Sequence, residues 1–212
     1  MSQRWNTAAR CMPALAIAAA VLLLLGSARP ALAAGPQERV RESLKAVAAV
    51  LKDPNLQGQD KQAERRQRVR QIILDTFNFE EMAMLALGPS WDRLTAPQRA
   101  EFVNLFGTLF ERSYNNLVLR FLPNRQTIYG KETVTQDRAV VQTTLVDQKT
   151  GGELPVEYRL IHKDQRWAVF DVVVDGVSLA QNYRSQFEQI IRSSSYDTLL
   201  QRLKSRVAQE SP

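Results

Sequence analysis

The fold is decided by the stretch RAVVQTTLVDQKTGGELPVEYRLIH, residues 138–162, in which hydrophobic side chains recur every second residue. This alternation is typical of strands that bury one face, and the glycines in residues 149–152 favour a hairpin turn between them. We therefore predict two antiparallel strands, over residues 139–146 and 154–162. The positions expected to share the buried face are Ala139, Val141, Thr143, Leu145, Leu154, Val156, Tyr158 and Leu160.

Further strand patterns flank this hairpin on both sides. Two short ones, residues 127–129 and 132–135, lie before it on either side of a glycine, and a longer one, residues 167–174, follows it. The inward positions of the last strand are ambiguous, and we assign Val172 and Val174 to the buried face. Together the patterns predict a curved antiparallel sheet of four to five strands.

Helical periodicity precedes and follows the sheet. We predict helices over residues 36–52 and 77–87, and a longer one that Thr95 caps with Gln98 as its capping-box partner. Two more helices are expected at the C-terminus, over residues 178–191 and 196–207. The order of helices, antiparallel meander and helices defines an α+β fold. The expected inner stripe of the long helix is Phe102, Leu105, Phe106, Leu109, Phe110, Leu117 and Phe121.

The first 33 residues are typical of a cleaved export signal. Arg4 and Arg10 are followed by an apolar run over residues 14–25, and small residues occupy the cleavage positions at 31–33. The run is shorter than the roughly twenty residues of a spanning helix, although a retained anchor is the alternative. We therefore predict a signal peptide over residues 1–33, a single domain over residues 34–212, and export to the periplasm.

Cysteine and histidine, which many enzymes and metal sites use, occur once each in the sequence. Cys11 lies within the predicted signal, and the one histidine, His162, provides no metal site by itself. The segment GVSLA, residues 176–180, resembles a nucleophile elbow, but the histidine precedes it, so Ser178 is expected to cap a helix instead. Asp171, in an apolar strand, is either a general base or, as we expect, the partner of an arginine such as Arg184. We predict no catalytic residues, metal or cofactor.

The net charge of the chain does not indicate nucleic-acid binding. Loss of three arginines with the signal lowers the formal charge from +6 to +3, a mild excess that predicts no nucleic-acid binding. One basic stretch is either a solvated helix face or a contact surface for acidic partners or anionic head groups. Its residues are Lys61, Arg65, Arg66, Arg68 and Arg70.

Two groups of motifs resemble those of the MlaC family. The first is LGPSW at 87–91, TAPQR at 95–99 and EF at 101–102. The second is VEY at 156–158, Trp167, DV at 171–172, DGVSL at 175–179 and NYRSQF at 182–187. The resemblance implies an NTF2-like domain with added helices that carries phospholipid by its acyl chains. It further implies a shuttle between an outer-membrane lipoprotein–porin complex and an inner-membrane Mla ABC transporter, which maintains outer-membrane lipid asymmetry.

The family has no fixed catalytic residues, so we derive the lipid-binding positions from the expected facing of strands and helices. A periplasmic phospholipid carrier, which is a monomer with an apolar pocket, is the leading hypothesis. A carrier of hopanoid or another apolar ligand, an exported NTF2-like enzyme that uses Asp171 or Tyr129, and an adaptor with a filled core remain alternatives. The predicted lipid-binding residues are Phe106, Phe110, Val141, Leu145, Val156, Tyr158, Leu160, Val172, Val174 and Phe187.

Overall fold

An antiparallel meander packs against helices from both ends of the chain. The computed structural model describes residues 34–209, and the predicted signal peptide lies outside the described residues. The helices are α1 (Pro36–Lys52), α2 (Gln62–Thr76), α3 (Phe79–Leu87), α4 (Ala96–Phe121), α5 (Leu179–Ser193) and α6 (Tyr196–Gln209). The strands are β1 (Arg125–Thr135), β2 (Arg138–Asp147), β3 (Glu153–Lys163), β4 (Arg166–Val174) and β5 (Val177–Ser178).

The five strands form one sheet in the order β1-β2-β3-β4-β5, and every neighbouring pair is antiparallel. The predicted hairpin is confirmed as β2 and β3, in which Val141 lies opposite Tyr158 and Leu145 opposite Leu154. Ala139, Val141, Thr143 and Leu145 are all buried, whereas the side chains between them are more exposed. The mixed fold of helices and sheet expected from the sequence is therefore confirmed.

Two bulges modify the strands that the sequence predicts. In β1 the register shifts between Tyr129 and Glu132, so the two short strands are one continuous strand with a bulge. In β4 Leu160 lies opposite Val169 and Arg159 opposite Asp171, which leaves one extra residue, Phe170, in β4. An extra residue reverses the alternation of side chains beyond it. Residues on the two sides of the β4 bulge therefore do not follow a single period of two.

The long helix α4 begins as predicted but is only partly buried. Thr95 Oγ1 accepts a hydrogen bond from Gln98 N, and Gln98 Oε1 accepts one from Thr95 N, which completes the capping box. The expected stripe is wrong at Leu117 and Phe121, which are 41% and 39% exposed. The N-terminal half of α4 meets α5 and α6, while its C-terminal half meets α1 and α2, so a different side of the helix is covered there.

The main core lies between one face of the sheet and the helices, and it continues along the buried side of α4. Phe102 and Phe106 stack with ring centroids 5.6 Å apart, and Phe187 of α5 meets both edge-on. Such contacts stabilise a core beyond the burial of their area alone. Among residues 34–209, no helix is both long and apolar enough to cross a membrane.

Candidate functional site

A narrow apolar cavity lies between the inner face of the sheet and the helices α1, α2 and α4. Its volume is about 30 Å³, which is room for about one water molecule. The lining residues are Val40, Ser43, Leu44, Val47, Ile72, Ile73, Thr76, Phe77, Tyr114, Val118, Leu122, Tyr158 and Val169. The lining contains no charged side chain, so the cavity suits an apolar guest and offers no counter-charge to an ionic one.

Helix α1 covers one side of the cavity because its apolar residues recur at helical spacing. Val40, Leu44 and Val47 are buried on the side that lines the cavity. Its charged contacts lie at the protein surface, where Arg39 Nη2 donates to Asp75 Oδ2 at 2.7 Å. The Arg41 guanidinium lies 3.9 Å from the centroid of the Tyr129 ring. Burial of an apolar stripe therefore does most to hold α1 in place, since exposed ion pairs stabilise little.

The hydroxyl groups of the cavity lining bond to one another or to the backbone. Tyr114 and Tyr158 share a side-chain hydrogen bond, and Ser43 Oγ lies 2.8 Å from Thr76 Oγ1. Thr76 Oγ1 also donates to the carbonyl oxygen of Ile72 at 2.6 Å. Burial raises the pKa of Tyr114 to about 12 and raises that of Tyr158 well above its ordinary value. These phenols stay neutral at physiological pH, so the cavity wall carries no charge.

Of the ten predicted lipid-binding residues, Tyr158 lines this cavity. Eight others are buried in the same core cluster, and Val174 packs against that cluster while partly exposed. Val172 lies opposite Tyr158 and Val174 opposite Val156, so all four share one face of the sheet. The buried eight are Phe106, Phe110, Val141, Leu145, Val156, Leu160, Val172 and Phe187.

Sequence reasoning missed the contribution of α1 and α2 to the cavity. The apolar spacing of Val40, Leu44 and Val47 was visible, and so was the pair Ile72 and Ile73. The sequence carries no signal, however, for which helix lies over the sheet. The lining of the cavity follows from tertiary packing and from the approach of Phe77 to Val169 of β4, where Asn78 N donates to the Val169 carbonyl oxygen at 2.8 Å.

Asp171 is fully buried at the corner between β4 and α5, and three donors surround its carboxylate. Ser178 Oγ donates to Oδ2 at 2.7 Å and Ala180 N donates to Oδ1 at 3.1 Å. Arg159 Nη1 donates to Oδ2 at 3.2 Å because Arg159 lies directly opposite Asp171 in the sheet. The expected pairing with Arg184 is therefore wrong, and that residue pairs with Glu188 at 2.8 Å.

Ser178 is the predicted helix cap. Its Oγ accepts a hydrogen bond from Gln181 N at 3.0 Å while it donates to Asp171. Because the Ser178 hydroxyl makes both of these bonds at a buried corner, its role there is to stabilise the backbone. His162 is exposed and packs against Trp167 with ring centroids 5.0 Å apart. Within residues 34–209 no group of three His, Cys, Asp or Glu residues could hold a metal ion.

Three of the five residues in the basic stretch at the start of α2 pair with carboxylates. Lys61 and Arg68 both pair with Glu64, at 3.3 Å and 2.8 Å. Arg70 Nε pairs with the buried Glu111 at 3.1 Å, and Arg65 Nη1 donates to the carbonyl oxygen of Leu56 at 2.6 Å. The stretch is therefore a mixed surface of charges rather than a uniform positive patch.

Comparison with known proteins identifies relatives of the whole fold. A family model described as MlaC protein matches residues 41–205. The intermembrane phospholipid transport system binding protein MlaC of Haemophilus influenzae is 24% identical over 145 residues, which are 66% of this chain and 67% of that protein. A phospholipid-binding protein from Ralstonia solanacearum, solved in complex with a phospholipid, is 25% identical with a TM-score of 0.70. That match covers 83% of this chain and 98% of the other.

Proposed function

Since this chain belongs to the MlaC family, we propose that it carries phospholipid and holds the acyl chains in the apolar cavity beneath α1. The observation that supports this most is the uncharged cavity between the sheet and three helices. A lipid leaving a bilayer already has its tails buried, and each exposed methylene costs about 0.8 kcal/mol. A dry pocket of similar apolarity makes the transfer a nearly balanced exchange.

The cavity must widen before it holds a lipid. Pockets for ligands of drug size or larger are about 300–1,000 Å³, whereas this cavity is about 30 Å³. We propose that the ten residues predicted from strand and helix facing become part of the wall when the pocket opens. Tyr158 already lines the cavity and lies in the same core cluster as eight of the other nine residues.

The proposed setting is the periplasm, reached after cleavage of residues 1–33. The mature protein, residues 34–212, then acts as one domain and a monomer, and shuttles lipid between an outer-membrane lipoprotein–porin complex and an inner-membrane Mla ABC transporter. A near-balanced exchange has no direction of its own. Direction therefore comes from partners that prefer the loaded or the empty carrier. This role needs no catalysis, and the bonded corner of Asp171 and Ser178 is consistent with that.

A pair of adjacent substitutions tests the acyl-chain site. Val118 is 4% exposed and lines the cavity, whereas its neighbour Leu117 is 41% exposed on the outer side of α4. Val118→Trp fills the cavity and is expected to reduce co-purifying phospholipid by at least half. Leu117→Trp adds the same ring to the same helix and is expected to leave the lipid content unchanged. Both contents are measured by native mass spectrometry of freshly purified protein.

Thermal unfolding of both variants shows whether the fold survives, since overpacking typically costs about 1–3 kcal/mol. Equal phospholipid content in folded Val118→Trp and wild type contradicts the cavity as the acyl-chain site. Purified wild-type protein that neither retains phospholipid nor takes it up from vesicles contradicts the carrier function itself. If the extracted lipid is a hopanoid, the ligand assignment changes but the carrier function is supported.

A further inference from the structure

A second, open groove lies at the end of the domain where α1 and α4 end and α2 begins. Its volume is about 590 Å³. The groove is lined by Leu51, Gln57, Gly58, Gln59, Gln62, Arg65, Arg66, Asn116, Leu119, Arg120 and Pro123. Three arginines and several amides thus surround a space whose lining contains no carboxylate, and this charge balance differs from that of the rest of the α2 surface.

The groove adjoins the apolar cavity along two helices. On α1, Val47 lines the cavity and Leu51, one turn later, lines the groove. On α4, Val118 lines the cavity and Leu119 the groove, and the pair Leu122 and Pro123 repeats this arrangement. The two spaces therefore border the same segments of α1 and α4, so a cavity that widens along these helices reaches the groove.

Two of the groove arginines have no acidic partner. Within the described residues, no carboxylate lies within 4.0 Å of the guanidinium nitrogens of Arg66 or Arg120. Arg120 packs over the Phe121 ring with its Cζ 5.3 Å from the centroid. Arg66 also borders a neighbouring groove that contains Glu64 and Glu111. Those two carboxylates are already bonded to other basic residues.

We propose that this groove binds the phosphate of the same lipid whose acyl chains occupy the cavity, with Arg66 and Arg120 as its main contacts. The inference rests on the proposed function, because it assigns the polar end of that ligand. Guanidinium groups present paired N–H donors that match phosphate oxygens. Gln62 and Asn116 provide further donors, and Leu51, Leu119 and Pro123 provide an apolar floor for the glycerol portion.

The expected effect is moderate because the groove is open to solvent. Each exposed charge contact of this kind corresponds to a factor of about two to five in affinity. Loss of both arginines therefore lowers phospholipid affinity about four- to twenty-five-fold, and the effect weakens with salt. The acyl chains still bind, so a lipid with the same tails and no phosphate is expected to bind equally well to wild type and variant.

The test compares dioleoyl phosphatidylglycerol with dioleoylglycerol, which has the same tails and no phosphate, on delipidated mature protein. Competition is measured by native mass spectrometry at low and at physiological salt. The variant is Arg66→Gln/Arg120→Gln. The matched control is Arg93→Gln/Arg202→Gln, which removes the same charge at exposed residues. Arg93 lies just before the first turn of α4, and Arg120 lies in its last turn. The helix from Ala96 to Arg120 is ~36 Å long at 1.5 Å per residue, so Arg93 is far from the groove.

We expect wild type and the control to prefer the phospholipid about four- to twenty-five-fold more than the Arg66/Arg120 variant does, at unchanged dioleoylglycerol affinity. An equal preference in all three proteins, or its loss in the control as well, overturns the phosphate site. Inorganic phosphate that binds the groove without displacing phosphatidylglycerol also overturns it, because the anion site is then separate from the lipid. Wild type that binds neither lipid refutes the carrier function and this inference with it.

Discussion

Ser178→Ala separates a structural corner from a catalytic one. The Ser178 hydroxyl accepts a hydrogen bond from Gln181 N at 3.0 Å and donates to Asp171 Oδ2 at 2.7 Å. The substitution therefore removes a helix cap and one of three donors to a fully buried carboxylate. Ser178 does not line the apolar cavity, so its loss is expected to change the free energy of unfolding without changing the lipid content.

The magnitude follows from those two bonds. Loss of an N-cap side chain costs about 1 kcal/mol, and loss of a hydrogen bond to a charged group costs about 1.5–3 kcal/mol. Asp171 keeps Ala180 N and Arg159 as partners, so the charge is not left bare. We expect a total loss of about 2–4 kcal/mol, which for a domain of this size lowers Tm by about 5–15 °C.

Urea unfolding and native mass spectrometry are measured on the same preparation. The control is Ser185→Ala on the same helix, where the hydroxyl is exposed and bonds to the Gln181 carbonyl oxygen at 3.3 Å. That change is expected to stay within about 0.5 kcal/mol of wild type. If Ser178→Ala is as stable as the control, the Ser178 hydroxyl does not stabilise this corner. A stable Ser178→Ala protein that no longer carries lipid would instead support a chemical role for the corner.

Two further predictions concern α4 and the cavity phenols. Thr95→Ala is expected to cost about 1 kcal/mol in urea unfolding because it removes the cap of α4, and an unchanged midpoint would contradict the capping box. Burial raises the pKa of Tyr114 to about 12 in the folded protein. The contribution of the neutral Tyr114 phenol to folding stability is therefore fully present below pH 10 and is lost as the pH rises toward 12. Tyr114→Phe is therefore expected to leave the phenolate absorbance of folded protein between pH 9 and 10 unchanged, and a smaller absorbance there would show that Tyr114 ionises normally.

The sequence predicted those parts of the fold in which a local pattern has one physical solution. Apolar residues such as Val141 and Tyr158 recur at every second position on both sides of a glycine turn, and an antiparallel pair is the structure that buries one such face. Thr95 and Gln98 have the spacing of a capping box, and that box is present. The bulge at Phe170 was not predicted, because no residue type marks the point at which β4 takes one extra residue.

The details of the candidate site depend on contacts between distant segments. Asp171 was expected to pair with an arginine such as Arg184, but cross-strand register places Arg159 opposite it. Leu117 was placed inward because it continues the apolar stripe of α4. The helices that cover α4 change along its length, so Leu117 faces outward. Helical spacing indicates an apolar face, but it does not indicate which neighbour covers that face.

The bulge in β1 limits association between molecules through the open edge of the sheet. In the described sheet β1 is an edge strand of eleven residues, long enough to add a strand from another molecule. At the bulge, Gln37 of α1 makes two hydrogen bonds to the edge strand. Its Nε2 donates to the Gly130 carbonyl oxygen at 3.4 Å, and its N donates to Glu132 Oε2 at 2.6 Å. The irregular backbone and the charges of Lys131 and Glu132 oppose further pairing. These features therefore oppose aggregation at the open edge of β1.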